Sequence, residues 1–289
     1  ETDSNGRSMK KMKVGIPALP YFHNATWQLL SQGAEARIWF VPTYTTITDA
    51  SSSSAHAAAI CKERFLKSYR HPSLNAQLTK ARIKGEVKCI TKCCKNGINV
   101  PHILSVDLSG MCIFMEFIPG RTVREFLNVT LGRYSSKEQE CICLSNVAVE
   151  KAVSDNPGIE ISLSMQQAMT VATEIGSTIA KMHNINVIHG DLTTSNIILR
   201  NLSNHDEDVL HPQLCLIDFG LALTGCTNPE EKAVDLYVLE RAFISTHPGS
   251  EDLVAEILRS YKRVCSSSDS VLQRLFNVRQ RGRKRECFG

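Results

Sequence analysis

Short alternating and apolar runs in the first part of the chain predict strands. They lie at 27–32 (WQLLSQ), 36–42 (ARIWFVP) and 57–65 (AAAICKERF), and turn-forming residues separate them. This spacing is typical of an antiparallel meander. The polar, low-complexity segment 45–56 between the second and third runs predicts a mobile loop.

A helical pattern follows over residues 74–96. Apolar positions recur there at intervals of three and four residues, at Ile83, Val87, Ile90 and Cys94. Gly97 stands where a glycine commonly ends a helix. Glu86 lies three residues after Ile83 and four before Ile90, so the pattern predicts that this carboxylate faces inward. That is an unusual position for a charged side chain.

The rest of the chain predicts one hairpin and then a mainly helical region. HILSVDL and MCIFMEF flank a Ser-Gly turn and predict two paired strands, and residues 118–120 (IPG) indicate a hinge. Residues 128–164 are polar and poorly periodic, which favours a loop insertion with room for one short helix. Helical spacing predicts helices at 165–183, 229–246, 250–264 and about 269–281. The chain is therefore predicted to be an α+β protein.

Composition limits the possible environments. No apolar run is long enough to cross a membrane, and no signal-peptide stretch is present at the N-terminus. The cysteine count is eleven, an odd number, and the spacings do not form paired zinc-binding modules. We therefore expect an intracellular chain with reduced, mostly structural thiols. Residues 1–24 are predicted to be an N-terminal extension, and 1–8 to be a remnant of cloning.

Basic charge is concentrated near the C-terminus. The formal net charge is +4, but the segment 279–285 (RQRGRKR) carries five basic residues, and the remainder of the chain is slightly acidic. Such a run is typical of a segment that binds a polyanion or directs nuclear import. The alternative is a solvated terminus that only aids solubility.

Two motifs in the second half place polar side chains at the ends of apolar runs. Asp191 and Asn196 lie in IHGDLTTSNIIL, and Asp218 lies in CLIDFGL. If the two apolar runs form neighbouring buried strands, their polar ends come together. Carboxylate and amide oxygens suit Mg²⁺, an ion that bridges substrate phosphates. The motifs therefore indicate a site for a nucleoside triphosphate.

Phosphoryl transfer of the protein-kinase type also needs a strand lysine paired with a helix glutamate. Lys62 lies in the third predicted strand and Glu86 on the inward face of the next helix. Each charge is costly to bury alone, but a mutual pair would explain both. Taken separately, Lys62 could be an edge-strand lysine and Glu86 a partly solvated carboxylate.

In this order, the motifs resemble the protein-kinase superfamily, and in detail the small atypical kinase subunit of the KEOPS (EKC) complex. The matching stretches are QGAEARIW (32–39), KERFLKSYRHPSLN (62–75), VIHGDLTTSN (187–196), LIDFGLA (216–222), VDLYVLERAF (234–243) and RGRKR (281–285). The resemblance implies a two-lobed protein-kinase-like fold with ATP and Mg²⁺ between the lobes. It divides the chain into a small lobe at 25–118, a large lobe at 119–278 and a basic tail at 279–289.

The resemblance also assigns roles to individual residues. Asp191 would be the catalytic base, Asn196 and Asp218 would ligate the metal, and Asp235 would support the catalytic loop. The ATP-binding residues would be Gly33, Ala34, Glu35, Ala36, Lys62, Glu86 and, in the adenine-facing hinge, Met115, Glu116 and Ile118.

Three departures from ordinary protein kinases affect the expected function. The phosphate-binding loop has one glycine, Gly33, in place of three, and it carries the acidic Glu35. Gly190 replaces the arginine that usually precedes the catalytic aspartate, which argues against control by loop phosphorylation. Few residues separate Gly220 from Asp235, which leaves little room for a peptide-docking segment.

These features favour an atypical ATPase or serine/threonine kinase that supports threonylcarbamoyladenosine formation at position 37 of tRNA. By resemblance, its partners would be the synthase subunit, bound through the large lobe, and a small KEOPS subunit, bound through the small lobe. The basic tail and lysines of the 74–96 helix would contact tRNA. A free-standing serine/threonine protein kinase is the alternative, and a catalytically inactive scaffold is a third hypothesis. We expect a cytoplasmic and nuclear protein.

Overall fold

The computed structural model describes residues 27–45, 56–67, 71–132, 157–200 and 212–286. The centre of the predicted loop at 45–56, most of the predicted insertion at 128–164 and residues 1–24 lie outside these ranges. Among the described helices, none combines the length and apolar character that crossing a bilayer requires.

The N-terminal lobe is a five-stranded antiparallel sheet with one helix against it. The strands are β1 (Gln28–Gln32), β2 (Arg37–Thr45), β3 (His56–Glu63), β4 (Ile103–Asp107) and β5 (Cys112–Glu116), in the spatial order β1-β2-β3-β5-β4. The predicted meander and hairpin are therefore confirmed. Ile83 of the helix is fully buried in one cluster with Ile113 and Met115 of β5, and this packing fixes the helix on the sheet.

The helix of this lobe, α1 (Pro72–Lys95), confirms the predicted element and begins two residues earlier. Pro72 occupies its first turn, where a missing N–H costs nothing. Gly97 ends the helix with φ of 70°, and the Gly97 and Ile98 N–H groups donate to the carbonyls of Cys94 and Cys93, both at 3.1 Å. This termination sets the start of the chain segment that leads into β4.

The C-terminal lobe is mainly helical. Its helices are α2 (Val123–Thr130), α3 (Pro157–Asn184), α4 (Pro229–Thr246), α5 (Glu251–Val264) and α6 (Ser268–Glu286), and its short strands are β6 (Gly120–Thr122), β7 (Val187–Ile188), β8 (Ile197–Arg200), β9 (Leu214–Leu216) and β10 (Leu223–Thr224). Strands β6, β8 and β9 form one antiparallel sheet, and β7 pairs with β10. One apolar core joins α3, α4, α5 and α6 and confirms the predicted α+β arrangement.

One further helix and two further helix boundaries differ from the prediction. Helix α2 was not predicted, although a capping box starts it, in which Thr122 and Glu125 exchange side-chain and backbone hydrogen bonds. Helix α3 begins at Pro157 rather than near 165, so part of the predicted insertion is helical. Helix α6 continues to Glu286, so the basic segment 279–285 extends a helix rather than following it.

The cysteines behave as the sequence predicts. All eight in the described ranges are free thiols, and six of these are buried. Burial raises the pKa of Cys93 and of Cys215 to about 12, which keeps both thiols protonated and unreactive at neutral pH.

Candidate active site

A cleft of about 360 Å³ opens between the N-terminal sheet and the loops that follow β7 and β9. Seven of the predicted site residues line it: Gly33, Ala34, Glu35, Ala36, Lys62, Asp191 and Asp218. Arg64, Gly220 and Leu221 line it as well. This volume is within the range of sites that hold small-molecule ligands.

The Lys62 ammonium group lies between two carboxylates. Its Nζ atom is 2.5 Å from Glu86 Oε1 and 2.6 Å from Asp218 Oδ1. Strand β3 carries the lysine and α1 carries the glutamate, whose side chain is 1% exposed. The predicted Lys62–Glu86 pair is therefore present, and it explains how both charges can be buried. Asp218, the second carboxylate that contacts Lys62, lines the cleft.

The backbone and surroundings of Asp218 are unusual. Its φ is 60°, a left-handed conformation that non-glycine residues seldom adopt and that often marks functional positions. Burial raises the pKa of the Asp218 carboxyl, but the charge and hydrogen bond of Lys62, together with the Gly220 N–H, more than offset this effect and lower the pKa. The carboxylate is therefore ionised at neutral pH.

Asp191 is held in place by Asn196. Asn196 Nδ2 donates to the backbone carbonyl of Asp191 at 2.9 Å and to its Oδ2 at 3.1 Å. The Ile217 N–H donates to the Asn196 carbonyl at 3.0 Å, which joins the loop before β8 to the end of β9. The predicted meeting of the two polar motifs at neighbouring strand ends is confirmed, because β8 and β9 are paired.

Asp235 anchors the loop that carries Asp191. Its carboxylate accepts hydrogen bonds from the His189 N–H at 2.8 Å and the Gly190 N–H at 2.9 Å, and its Oδ2 lies 3.2 Å from His183 Nε2. Asp235 is 1% exposed and lies in α4. The predicted contact with the catalytic-loop backbone is therefore confirmed, and Asp235 is a structural residue.

Replacement of Asp235 by alanine is expected to lower the free energy of unfolding by about 3 kcal/mol, because it leaves buried donors without an acceptor. Chemical denaturation followed by circular dichroism measures this loss. Asp252→Ala is the matched control, since Asp252 is exposed in the first turn of α5, and it should cost no more than about 1 kcal/mol. Equal losses in the two variants would contradict the anchoring role.

The predicted hinge residues lie outside the cleft surface. Among the described residues that line the cleft, none is Met115, Glu116 or Ile118. The Glu116 side chain instead accepts hydrogen bonds from His102 Nδ1 at 2.7 Å and from Arg200 at 2.8 Å. Burial raises the pKa of Glu116, but these partners outweigh it and lower the pKa. Glu116 therefore ties β5 to β8 through its side chain.

The loop at 33–36, which is predicted to bind phosphate, is a tight turn held by basic side chains. The Gly33 N–H donates to the Ala36 carbonyl at 2.9 Å, which places Ala34 and Glu35 at the tip. Lys67 Nζ donates to the Ala34 carbonyl at 2.6 Å. The Glu35 carboxylate pairs with Arg64 at 3.7 Å, with Lys67 at 3.9 Å and, through a direct hydrogen bond, with Arg82. These three cations were not predicted from the sequence as part of the site.

The predicted metal ligands are of the donor type that Mg²⁺ takes when it is shared with a substrate, and of the two only Asp218 lines the cleft. Asn196 Nδ2 faces Asp191, so Asn196 Oδ1 points away from it, and Asp218 Oδ2 is the oxygen that Lys62 does not contact. Within the described ranges, no group of three or more His, Cys, Asp or Glu side chains could hold a metal by itself. Mg²⁺ is commonly bound by one or two protein oxygens together with substrate phosphates, which matches this donor set.

The segment after Asp218 is short. It forms β10 against β7, and Asn228 already caps α4. Gly190 lies under this segment with φ of 80°, and a Cβ atom there would be 2.5 Å from the Leu221 carbonyl oxygen. An arginine at this position would therefore collide with Leu221. The short segment after Asp218 can therefore pack over position 190 in this way only when that residue is glycine.

Comparisons with known proteins agree with this architecture. Residues 44–236 match the family described as protein tyrosine and serine/threonine kinase. The chain is similar in fold to a solved structure described as WaaP in complex with acyl carrier protein, with a TM-score of 0.50, 13% identity and coverage of 88% of both chains. At that identity the likeness concerns the fold alone, and the predicted kinase-like, two-lobed architecture is confirmed by the family match together with the observed sheet and helices.

Closer relatives specify the family. The chain is 41% identical to the EKC/KEOPS complex subunit bud32 of Dictyostelium discoideum, over 90% of this chain and 84% of that protein. It is 35% identical to the EKC/KEOPS complex subunit Tp53rkb of Mus musculus, over 91% of this chain and 89% of that protein. With these identities and a kinase-type cleft, the chain belongs to the protein-kinase-like family of EKC/KEOPS complex subunits that includes bud32 and Tp53rkb.

Proposed function

We propose that this chain binds ATP and Mg²⁺ in the cleft and acts as the atypical ATPase and serine/threonine kinase subunit of a KEOPS assembly that modifies tRNA. The observation that carries the proposal is the Lys62 ammonium group, which is buried between Glu86 and Asp218 in a cleft that Asp191 also lines. The names of the relatives support the assignment to KEOPS.

Each site residue has a distinct task in this proposal. Lys62 binds the α- and β-phosphates, and Glu86 holds its ammonium group toward the cleft. Asp191 orients the nucleophile and accepts its proton, and Asn196 fixes the Asp191 carboxylate for this step. The nucleophile is water in ATP hydrolysis and a hydroxyl group in phosphorylation.

Asn196 and Asp218 would hold the magnesium ion. When bound, the ion supplies positive charge that neutralises the phosphate oxygens during transfer. The salt bridge from Lys62 keeps Asp218 ionised and oriented before any ion arrives. The protein therefore contributes a preorganised set of oxygen donors.

Two other functions are less well supported. A free-standing protein kinase would need a surface that docks peptides, whereas the segment between β10 and α4 is only a few residues long. An inactive scaffold would not need Lys62, Glu86, Asp191, Asn196 and Asp218 together. ATP turnover within an assembly requires these five residues and does not require a peptide-docking surface.

The proposed partners follow from the same family resemblance. The synthase subunit would bind the large lobe, a small KEOPS subunit would bind the N-terminal lobe, and the basic end of α6 would contact tRNA phosphates. Arg279 and Arg281 at the start of that segment pair with Glu240 and Glu230 of α4. These pairs anchor the helix, so the phosphate contacts would come from the basic residues that follow them.

ATP hydrolysis measured with and without tRNA and the synthase partner tests this proposal against the alternative. We expect hydrolysis that depends on Mg²⁺, rises with the partner and tRNA, and exceeds phosphate transfer to generic serine- or threonine-containing peptides. Asp191→Asn protein is the control for contaminating ATPases. Peptide phosphorylation faster than hydrolysis under all conditions would favour the free-standing kinase.

A further inference from the structure

Arg64 is a buried cation with spare hydrogen-bonding capacity. Its side chain is 6% exposed, and its terminal nitrogen donates to Glu86 Oε2 at 2.7 Å. Its pairing with Glu35 at 3.7 Å is too long for a hydrogen bond. Its Nε atom is buried and has no hydrogen-bond partner. A buried guanidinium carries five N–H donors, so this side chain can accept a further anionic ligand.

The Arg64 side chain lies at the end of the cleft that Asp218 lines. Arg64 lines the cleft together with Lys62 and Asp218. A Cβ atom at Gly220 would lie 2.6 Å from Arg64 Nη2, the nitrogen whose other N–H donates to Glu86, 3.0 Å from Asp218 Oδ1 and 3.5 Å from Lys62 Nζ. The two cations therefore flank the same point beside Asp218. Arg64 follows Lys62 by two residues, and side chains at that spacing share one face of an extended strand.

The structure of the turn above the cleft supports phosphate binding by Arg64. The loop has a single glycine, and the Gly33 N–H is already used by the Ala36 carbonyl. The tip carries Glu35, an anion surrounded by Arg64, Lys67 and Arg82. The contact between Glu35 and Arg64, at 3.7 Å, is longer than a hydrogen bond, so an incoming anion can compete for that guanidinium. Glu35 would remain held by Arg82.

We propose that Arg64 binds the terminal phosphate of the nucleoside triphosphate, beyond the phosphates bound by Lys62, and that Glu35 is its counterion until the nucleotide binds. The inference rests on the proposed function, since it assumes that the cleft binds ATP. Arg64 replaces backbone donors that a glycine-rich loop would supply. The side chain thereby distinguishes a triphosphate from a diphosphate.

A purely structural role makes a different prediction. If Arg64 only holds Glu86, its loss would disturb Lys62 and weaken the binding of every nucleotide to the same extent. If Arg64 binds the terminal phosphate, its loss weakens the binding of the triphosphate and leaves the binding of the diphosphate unchanged. The ratio of the two dissociation constants therefore separates the two roles, independently of activity.

The experiment measures binding of ADP and of a non-hydrolysable ATP analogue, both with Mg²⁺, by calorimetry. Arg64→Met should raise the Kd for the ATP analogue by about 10-fold to 100-fold, the effect of one lost charge-assisted hydrogen bond. The Kd for ADP should change by less than about threefold. Arg259→Met is the matched control, because Arg259 also pairs with a carboxylate, that of Glu256 at 2.9 Å, but does not line the cleft, and its ratio should be that of the unsubstituted chain.

Equal losses for both nucleotides, or no loss for either, would overturn the proposal for Arg64. Arg64→Lys keeps the charge without the planar fork and should weaken the ATP analogue selectively but by less than methionine does. If the methionine variant does not fold, this lysine variant decides by the same ratio. Failure of the unsubstituted chain to bind either nucleotide would instead contradict the proposed function.

Discussion

Asp218→Asn is expected to reduce the rate of Mg²⁺-dependent ATP turnover by at least about 100-fold. The change removes a negative charge from a proposed metal ligand, and metal stabilisation of phosphoryl transfer is worth several kcal/mol, with a tenfold rate loss for each 1.4 kcal/mol or so. Because Lys62 keeps Glu86 as a partner at 2.5 Å, the fold should survive. Phosphate release measured over a range of Mg²⁺ concentrations gives both the rate and the metal requirement.

Asp269→Asn serves as the control for this prediction. Asp269 is an exposed carboxylate in α6 that also pairs with a lysine, Lys262, at 3.2 Å. Its replacement should leave turnover unchanged, since exposed pairs contribute little and the residue lies outside the cleft lining. If Asp218→Asn protein turns over ATP at the unsubstituted rate, Asp218 is not a metal ligand, whatever the result for Asp269→Asn protein.

Asp191→Asn is expected to lower kcat for ATP hydrolysis by about 100-fold to 1,000-fold, the usual contribution of a positioned general base. The nucleotide should bind as before, within about twofold, because Asp191 acts on the nucleophile and not on the phosphates. Asparagine preserves the shape of the side chain but cannot accept the proton. Single-turnover kinetics with calorimetric binding measures the two quantities separately.

The two aspartate variants should therefore differ in binding. Asp218→Asn should weaken the Mg²⁺-dependent component of nucleotide binding, whereas Asp191→Asn should leave it intact. The anchor of the Asp191 loop is Asp235, which both variants retain, so a general collapse of the loop is not expected. Normal hydrolysis by Asp191→Asn protein would exclude Asp191 as the base.

The central residues of the site could be predicted because charged and polar side chains are unusual within or at the ends of apolar runs. Lys62 within an apolar strand and Glu86 on an apolar helix face are each unfavourable alone, and pairing was the simple explanation. Asp191, Asn196 and Asp218 were conspicuous because they end buried runs. The helices α4 and α5 were also predicted closely, since both have acidic first turns, α4 begins with Pro229, and α5 has clear amphipathic spacing.

The surroundings of the site could not be predicted in the same way. Arg64, Lys67 and Arg82 look like ordinary basic residues in the sequence, and only the fold brings them to Glu35. The sequence alone does show that Glu35 is an unusual acidic residue in the predicted phosphate-binding loop. The spacing of Arg64 from Lys62 is the one local signal that could have indicated a second cation in the cleft.

Short elements and side-chain direction account for the other differences. The eight residues of α2 are too few for a convincing helical period, and its capping box was the usable signal. At the hinge, sequence position could not show that the Glu116 side chain bonds to His102 and Arg200, and the role of Glu116 in nucleotide binding stays a prediction. Such contacts depend on strands that are distant in sequence.

A crystal structure with a non-hydrolysable ATP analogue and Mg²⁺ tests the central claim most directly. The account predicts the triphosphate in the cleft, with Lys62 Nζ hydrogen-bonded to the α- or β-phosphate and the ion bound by Asn196 and Asp218. A nucleotide bound at another surface, or a Lys62 ammonium group turned away from the phosphates and from Asp218, would contradict it.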